Sequence, residues 1–187
     1  MNLIKYRNTI IKPAPTKIMY CYDTWQESFE KAKLEFPEIE FFEGLPSNYE
    51  FNKNETNLII LDDLMNECSA DENVLNLFTK WSHHRNASVI FISQNVFSKG
   101  KHSRTISLNS HYMVLFNNPR DRSQISHIGR QMFPGNSKFF EEAFFDATNK
   151  PHGYILVDLT QETPEDQRIQ SSILPNEGNL RCIYVKK

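Results

Sequence analysis

Glycine is scarce in this chain, and where it falls excludes a phosphate cradle. The six glycines stand at 44, 100, 129, 135, 153 and 178, so no G-x-x-x-x-G-K-[ST] run exists. Gly100-Lys101 is followed by His102 and has no preceding glycine at the required spacing, so no loop here offers the row of backbone N–H groups that holds phosphates. Cysteine is also sparse: Cys21, Cys68 and Cys182 are odd in number and form no C-x-x-C pair. That pattern fits reduced thiols in an intracellular protein better than a disulfide framework or a zinc site. Apolar runs stay far below the roughly 18 residues that span a bilayer, and Met1 to Lys12 lacks the apolar stretch of a secretion signal. The expectation is a soluble intracellular protein, cytoplasmic or nuclear, with no membrane partner. A strong excess of either charge is missing too: 21 Lys and Arg against 23 Asp and Glu leave a formal charge of −2, so any polyanion contact must be local. No internal repeat or low-complexity tract is visible.

What is present is hydrophobic material in a regular order. The hydrophobic fraction of 39%, with 14 phenylalanines, excludes a mainly disordered chain. A length of 187 residues suffices for one α/β domain whose core buries about two thirds of the unfolded surface. Lys17 to Tyr22 reads as a short strand. Thr24 with Glu27 reads as a capping box, followed by Trp25, Phe29, Ala32 and Phe36 at helical spacing. Ile39 to Glu43 predicts another strand, and Gly44 to Glu55 an exposed loop. Asn57 to Asp63 is an apolar run ending in two acids. Ser69 and Glu72 offer a second capping box ahead of Val74, Leu75, Leu77, Phe78 and Trp81. Ala87 to Ser93 and His111 to Phe116 predict strands, with a basic loop, Gly100 to Arg104, between them and a polar turn, Asn117 to Arg122, after them. Ile125, Ile128 and Met132 mark one helix, and Phe139, Phe140, Ala143, Phe144 and Ala147 a second, separated by Pro134-Gly135. Gly153 to Leu159 predicts a strand, Thr160 to Asn179 a polar segment, and Arg181 to Val185 a weak final strand. The alternation predicts a mainly parallel sheet with helices on both faces.

The chemistry-bearing residues begin with Asp62 and Asp63. A continuous aliphatic run is the mark of a strand covered on both faces, and parallel sheets place ligands at the carboxyl ends of such strands. Two carboxylates there fit a hydrated Mg²⁺: Asp62 would bind the ion through water, and Asp63 would orient or deprotonate an attacking water. The competing interpretation is that the acids merely cap the next turn. Val89 to Asn95 ends in an amide, and if its strand neighbours the acidic one, Gln94 sits beside the acids, placed to sense a terminal phosphate or hold the nucleophilic water. Arg104, Arg120 and Arg122 lie in loops near strand ends, where arginine stabilises charge on a transferring phosphoryl group. The cluster Lys99, Lys101, His102 and Arg104, and separately His83-His84-Arg85, could meet a nucleic-acid backbone instead. His83 and His84 lack a third ligand at metal spacing, which excludes zinc.

Taken in order, Asn57 to Met65, Phe78 to Asn86, Val89 to Phe97, Arg104 to Asp121 and Gln131 to Ala147 resemble the DNA-packaging ATPases of the FtsK–HerA superfamily, of the Polinton-like and large-DNA-virus type. Tyr20-Cys21-Tyr22 and Phe42-Glu43-Gly44-Leu45-Pro46 fit as well, and the resemblance covers about Ile10 to Pro175. It implies a RecA-like P-loop NTPase core lacking its first strand and phosphate loop. The whole of 1–187 would form one incomplete domain, with its core at about 10–160 and a polar segment at 160–187. It implies Walker B positions at Asp62 and Asp63, a polar sensor at Gln94, ATP and Mg²⁺ as cofactors of the complete form, and Arg104 or Arg120 as candidate trans-acting fingers. Double-stranded DNA, a homo-oligomeric ring and capsid proteins are the implied partners of such a translocase. Asp63 departs from the Glu more usual at the second acid.

In the family a strand, the Walker A loop and the start of a helix precede the position matching Met1. The sequence is therefore expected to be a truncated copy or an incomplete gene product, inactive by itself, with Met1 to Asn8 the tail of a helix packing Leu3, Ile4 and Tyr6 on the sheet. The absent strand would lie between the Gln94 strand and the His111 to Phe116 strand, which must then pair directly or expose their edges. Two alternatives stand beside the translocase. One is a degenerate, non-catalytic oligomerisation or DNA-binding module; the other is a Mg²⁺-dependent nuclease using Asp62, Asp63 and Glu43.

Overall fold

Four consecutive aliphatic residues, Leu58 to Leu61, leave a strand no polar face, and the chain answers by covering both of its sides. The computed structural model describes residues 1–47, 49, 54–81, 86–97, 100–175, 177 and 181–186. The chain divides into two compact units, Met1–Asn109 and Ser110–Lys187. In the first, β1 (Lys17–Tyr22), β2 (Ile39–Glu43), β3 (Asn57–Asp62) and β4 (Ala87–Ile92) form a parallel sheet in the order β2-β1-β3-β4.

Alternation along β1 and β3 divides the core in two. Ile18, Tyr20, Leu58 and Ile60 pack with Ile4 of α1 (Asn2–Lys5), with Phe29 and Ala32 of α3 (Glu27–Glu35), and with Phe36 and Ile39. Met19, Cys21, Ile59 and Leu61 pack with Val74, Leu77, Phe78 and Ile106. The last four come from α5 (Glu72–Asn76), from the π-helical turn Leu77–Trp81 and from α6 (Ser103–Leu108); α2 (Arg7–Ile10) and α4 (Met65–Ala70) complete the helices of this unit. Leu58 to Leu61 are at most 3% exposed. At about 1.5–3 kcal/mol for each fully buried large side chain, this central strand outweighs any single short helix around it.

Several local expectations are corrected. The helix after β1 begins at Glu27, and its N-cap Gln26 makes no side-chain cap bond. Thr24 Oγ1 donates instead to Asp23 Oδ2, 3.1 Å away, so Thr24 and Glu27 form no capping box, and Trp25 precedes the helix. After the acids the cap is Asp71, whose Oδ1 accepts from Asn73 N at 2.6 Å and Val74 N at 3.0 Å. The side chain of Ser69 lies outside the described residues. Within the expected Gly44 to Glu55 loop, Tyr49 is buried in the core beside Trp81, with ring centroids 6.2 Å apart. Ile4 does pack on the sheet as expected.

The second unit replaces the expected parallel continuation with an antiparallel sheet. β5 (Tyr112–Phe116), β6 (Tyr154–Asp158), β7 (Ile169–Ser171) and β8 (Cys182–Tyr184) follow the order β5-β6-β7-β8. The reason lies in the connections. Residues 159–168 carry only the 3₁₀ turn Glu165–Gln167, too little for a crossover, and β5 reaches β6 through two helices rather than one. Those helices are α7 (Ser123–Met132) and α8 (Ser137–Ala147), buried at Ile125, Ile128, Phe140, Ala143, Phe144 and Ala147. A Cβ on Gly129 would meet the Phe140 ring and the Ser137 carbonyl at 3.2 Å, so glycine lets α7 approach α8. At Gly153 a Cβ would stand 2.5 Å from the Ala147 carbonyl oxygen.

The protein is therefore mixed α/β, half its described strands parallel and half antiparallel. β4 ends the first sheet and β5 ends the second. Ile92 of β4 and Tyr112, Val114 and Phe116 of β5 are exposed apolar side chains. Among the described residues no helix is long and apolar enough to cross a membrane.

Candidate functional site

The parallel register sets Glu43, Tyr22, Asp62 and Ile92 side by side at the carboxyl ends of β2, β1, β3 and β4. Two consecutive carboxylates on a continuing strand would point to opposite faces. The strand does not continue. Asp63 takes φ +57°, a left-handed conformation that Asp tolerates better than most residues, and the chain then turns through buried Leu64 into α4. Asp62 stays half-buried on the sheet while Asp63 stands exposed at its rim.

Among the described residues each carboxylate has one side-chain donor. Gln94, two residues beyond β4, donates from Nε2 to Asp63 Oδ1 at 3.3 Å, an exposed contact at the long end of the hydrogen-bond range. Tyr20 donates from its hydroxyl to Asp62 Oδ2 at 2.6 Å. Burial, this hydrogen bond and the Asp62 charge all hold the Tyr20 phenol well above its ordinary range, so it remains a donor. Tyr20 was not among the site residues drawn from the sequence. The available signal was alternation: Tyr20, Ile60 and Asp62 share a face once β1 and β3 are known to be neighbours, and a single sequence does not state which strands pair.

Asp62 and Asp63 are the residues that would hold a hydrated Mg²⁺ ion. Mg²⁺ is commonly held by one or two carboxylates plus substrate phosphates, without a full protein cage. Among the described residues no group of three His, Cys, Asp or Glu side chains is placed to hold a metal, so Glu43 does not join Asp62 and Asp63 in a three-acid site. Cys21 and Cys68, in the core beneath the sheet, are free thiols pushed up to about 12 by burial, which keeps them poor nucleophiles and metal ligands.

The remaining candidates lie elsewhere. Arg104 is exposed on the first turn of α6. Arg120 is exposed in the turn after β5, its backbone N–H donating to Asn118 Oδ1 at 3.1 Å, and belongs to the second unit. Arg122 lies over the Phe145 ring, 5.7 Å from its centroid. Of the basic cluster, Lys101 and Arg104 are exposed, whereas His102 is buried at 8% exposure and Lys99 lies outside the described residues. Among the described residues of the cluster, buried His102 therefore separates exposed Lys101 from exposed Arg104. His83, His84 and Arg85 also lie outside the described residues. No protein-family model, no curated protein and no solved structure matches the chain.

Proposed function

We propose that this chain carries the cation-binding and sensor side of an ATP-dependent DNA translocase of the packaging type, built on a RecA-like core, with Mg²⁺ at Asp62 and the attacking water between Asp63 and Gln94. The observation that carries this is the bond from Gln94 Nε2 to Asp63 Oδ1 across two neighbouring parallel strands. It brings a sensor-type amide onto the second acid, as phosphoryl transfer to water requires. Asp62 would hold the ion, and the ion would supply charge neutralisation on the phosphates. Asp63 would take the proton of the water that Gln94 orients. Arg104 or Arg120, supplied from a neighbouring subunit of a ring, would stabilise the transferred phosphoryl. Duplex DNA and a capsid are the partners this activity calls for.

The phosphate cradle is absent from this sequence, so the chain alone is expected to bind ATP weakly and to hydrolyse none. Calorimetric titration with Mg²⁺ and ATP tests that, and micromolar binding would contradict it. The decisive experiment supplies a strand, a phosphate loop and a helix in cis ahead of Met1. DNA-stimulated ATP hydrolysis that Asp63→Asn abolishes, with nucleotide binding kept, supports the translocase. A folded fusion that binds ATP but never turns over removes it.

A second function, a non-catalytic oligomerisation or DNA-binding module, is favoured by the exposed apolar side chains of Ile92, Tyr112, Val114 and Phe116. Concentration-dependent assembly without any ATPase activity in the fusion would select it. For a Mg²⁺-dependent nuclease at Asp62 and Asp63, Glu43 adds no third ligand among the described residues, and plasmid cleavage with Mg²⁺ but without ATP would select it.

A further inference from the structure

Exposed apolar side chains recur at every second residue of β5, and that strand ends its sheet. We propose that two copies of this chain associate through β5, the two strands pairing antiparallel about Val114 so that the second sheet runs on from one copy into the other. This rests on the second function given above, the oligomerisation module, and gives that module its partner and its interface.

The backbone of an antiparallel strand turns its hydrogen-bonding groups to alternate sides, residue by residue. Leu159 N donates to the His111 carbonyl at 2.8 Å, and Asp158 N donates to the Arg168 carbonyl at 2.8 Å. Odd-numbered residues of β6 therefore bond to β5 and even-numbered ones to β7. Met113 and Leu115, opposite Val157 and Ile155, give their backbone groups to β6, whereas Tyr112, Val114 and Phe116 turn theirs to the other side. Among the described residues β6 is the only strand that β5 pairs with. The side chains of the same three residues share the face that carries Leu156 and Tyr154, and are 56%, 42% and 59% exposed. Phe116 is steadied there by the Tyr154 ring, with centroids 6.0 Å apart.

Sheets commonly guard such an edge with charge, proline or a bulge, and Ser110 to Asn118 contains no Lys, Arg, Asp, Glu, Pro or Gly. The side-chain pattern selects a second copy as the occupant. Tyr-x-Val-x-Phe read backwards is again aromatic-x-Val-x-aromatic, so the strand complements itself. A two-fold axis at Val114 sets that residue opposite its own copy and Tyr112 opposite the partner's Phe116. Every outward N–H and C=O of the three residues then finds a partner, two bonds to each pair, and an aromatic pair flanks the axis on either side. The axis also imposes the antiparallel direction that the sheet already has. Three half-exposed side chains from each copy bury well under the roughly 1,200 Å² of a stable interface, so the dimer should be reversible.

The test uses the full chain, without nucleotide, in a Cys182→Ser background that removes the exposed thiol. Sedimentation velocity should show a monomer–dimer equilibrium. Val114→Lys sets two ammonium groups opposite each other and should weaken the dimer about tenfold, with the near-ultraviolet circular dichroism unchanged. Residues directly opposite in a hydrogen-bonded pair have Cα atoms about 5.5 Å apart, within disulfide reach. Diamide, which takes up the two thiol hydrogens and becomes the hydrazine, should therefore link Val114→Cys into a dimer about tenfold faster than Leu108→Cys, an exposed control in the first unit. If the chain assembles but Val114→Lys leaves the equilibrium unchanged and the two cysteine variants link at equal rates, pairing through β5 is overturned while an oligomerisation module on another surface stands. A chain still monomeric at about 100 µM overturns both, and leaves the translocase to its own ATPase assay. Should Val114→Lys fail to fold, the linking rates decide: faster at position 114 supports the pairing, and equal rates overturn it.

Discussion

The two sheets treat their acidic residues differently. In the parallel sheet the central strand runs from buried Asn57 through four aliphatic residues to half-buried Asp62, and Asp62 and Asp63 each accept from one side-chain donor among the described residues. The antiparallel sheet buries polar groups within its strands: Asp158, Gln170 and Ser171 are at most 8% exposed. Asp158 Oδ1 accepts from Thr160 N at 3.0 Å and Thr160 Oγ1 at 2.7 Å, and its Oδ2 accepts from Thr163 Oγ1 at 2.8 Å. Gln170 donates from Nε2 to the Gln167 carbonyl at 2.6 Å and accepts from Arg181 Nε at 2.8 Å. Arg168 ties the same turn together, donating to the carbonyls of Asp158 at 3.1 Å and Thr160 at 2.8 Å. A polar group that is buried and saturated holds a fold, because breaking its contacts strands a desolvated partner. A carboxylate that is solvated, with an oxygen to spare, is available to a ligand.

That contrast can be broken or sharpened by mutation. The largest effects should fall on the apolar core of each unit, taken by itself. Phe140→Ala in the second unit is expected to cost about 3–5 kcal/mol, and Leu61→Ala in the first about 2–5 kcal/mol, in urea unfolding. A loss below about 1 kcal/mol at either site would show that the side chain is not tightly packed. Next comes Asp158→Ala, which leaves three donors without their acceptor and should cost about 1–3 kcal/mol. Asp62→Asn keeps an acceptor for Tyr20 at a half-buried strand end and should cost less, about 0.5–1 kcal/mol. If the two aspartates proved equally costly, the division between fold-holding and ligand-ready acids would fail.

Asp158 also predicts a pH dependence. Burial pushes its carboxyl up, but the hydrogen bonds from Thr160 and Thr163 and the nearby Arg168 outweigh it, leaving the group below its ordinary value. A carboxyl lower in the folded than in the unfolded state stabilises above the unfolded value and loses that contribution as pH falls through the folded one. The gap in thermal midpoint between the wild type and Asp158→Asn should therefore narrow on acidification. A gap independent of pH would remove Asp158 as its source. A separate effect concerns the backbone at Asp63. Asp63→Val forces a β-branched residue into the left-handed region and should cost about 1–2 kcal/mol, whereas Asp63→Gly should be neutral or slightly stabilising, as read by thermal unfolding.

Much of the first unit is legible in the sequence. Lys17–Tyr22 and Ile39–Glu43 are strands as their composition predicts, and the acidic and Gln94 strands lie side by side. Both helices of the second unit follow their apolar spacing. Three features escaped. β7, Ile-Gln-Ser, carries one apolar residue and is buried through the bonds of Gln170, which no hydropathy pattern reveals. Trp25 has helical spacing with Phe29 yet precedes the helix, making edge contacts with the rings of Tyr22, Phe29 and Phe41 while Lys33 lies 4.7 Å from its centroid. His102, counted among exposed cations, is buried.

The sequence alone determined that Asp62 and Asp63 would end a buried strand, because four aliphatic residues in a row must be covered on both faces. It also determined that no phosphate loop is present, because its glycines stand at the wrong spacings. Only the tertiary structure decided that Tyr20 and Gln94 are the donors to those acids. Both contacts depend on which strands are neighbours and in what register, and those are set by packing between segments distant in the chain. The tertiary structure likewise decided that the second half forms an antiparallel sheet: strand direction follows from how each connection returns the chain, and the apolar pattern of the strands does not encode it.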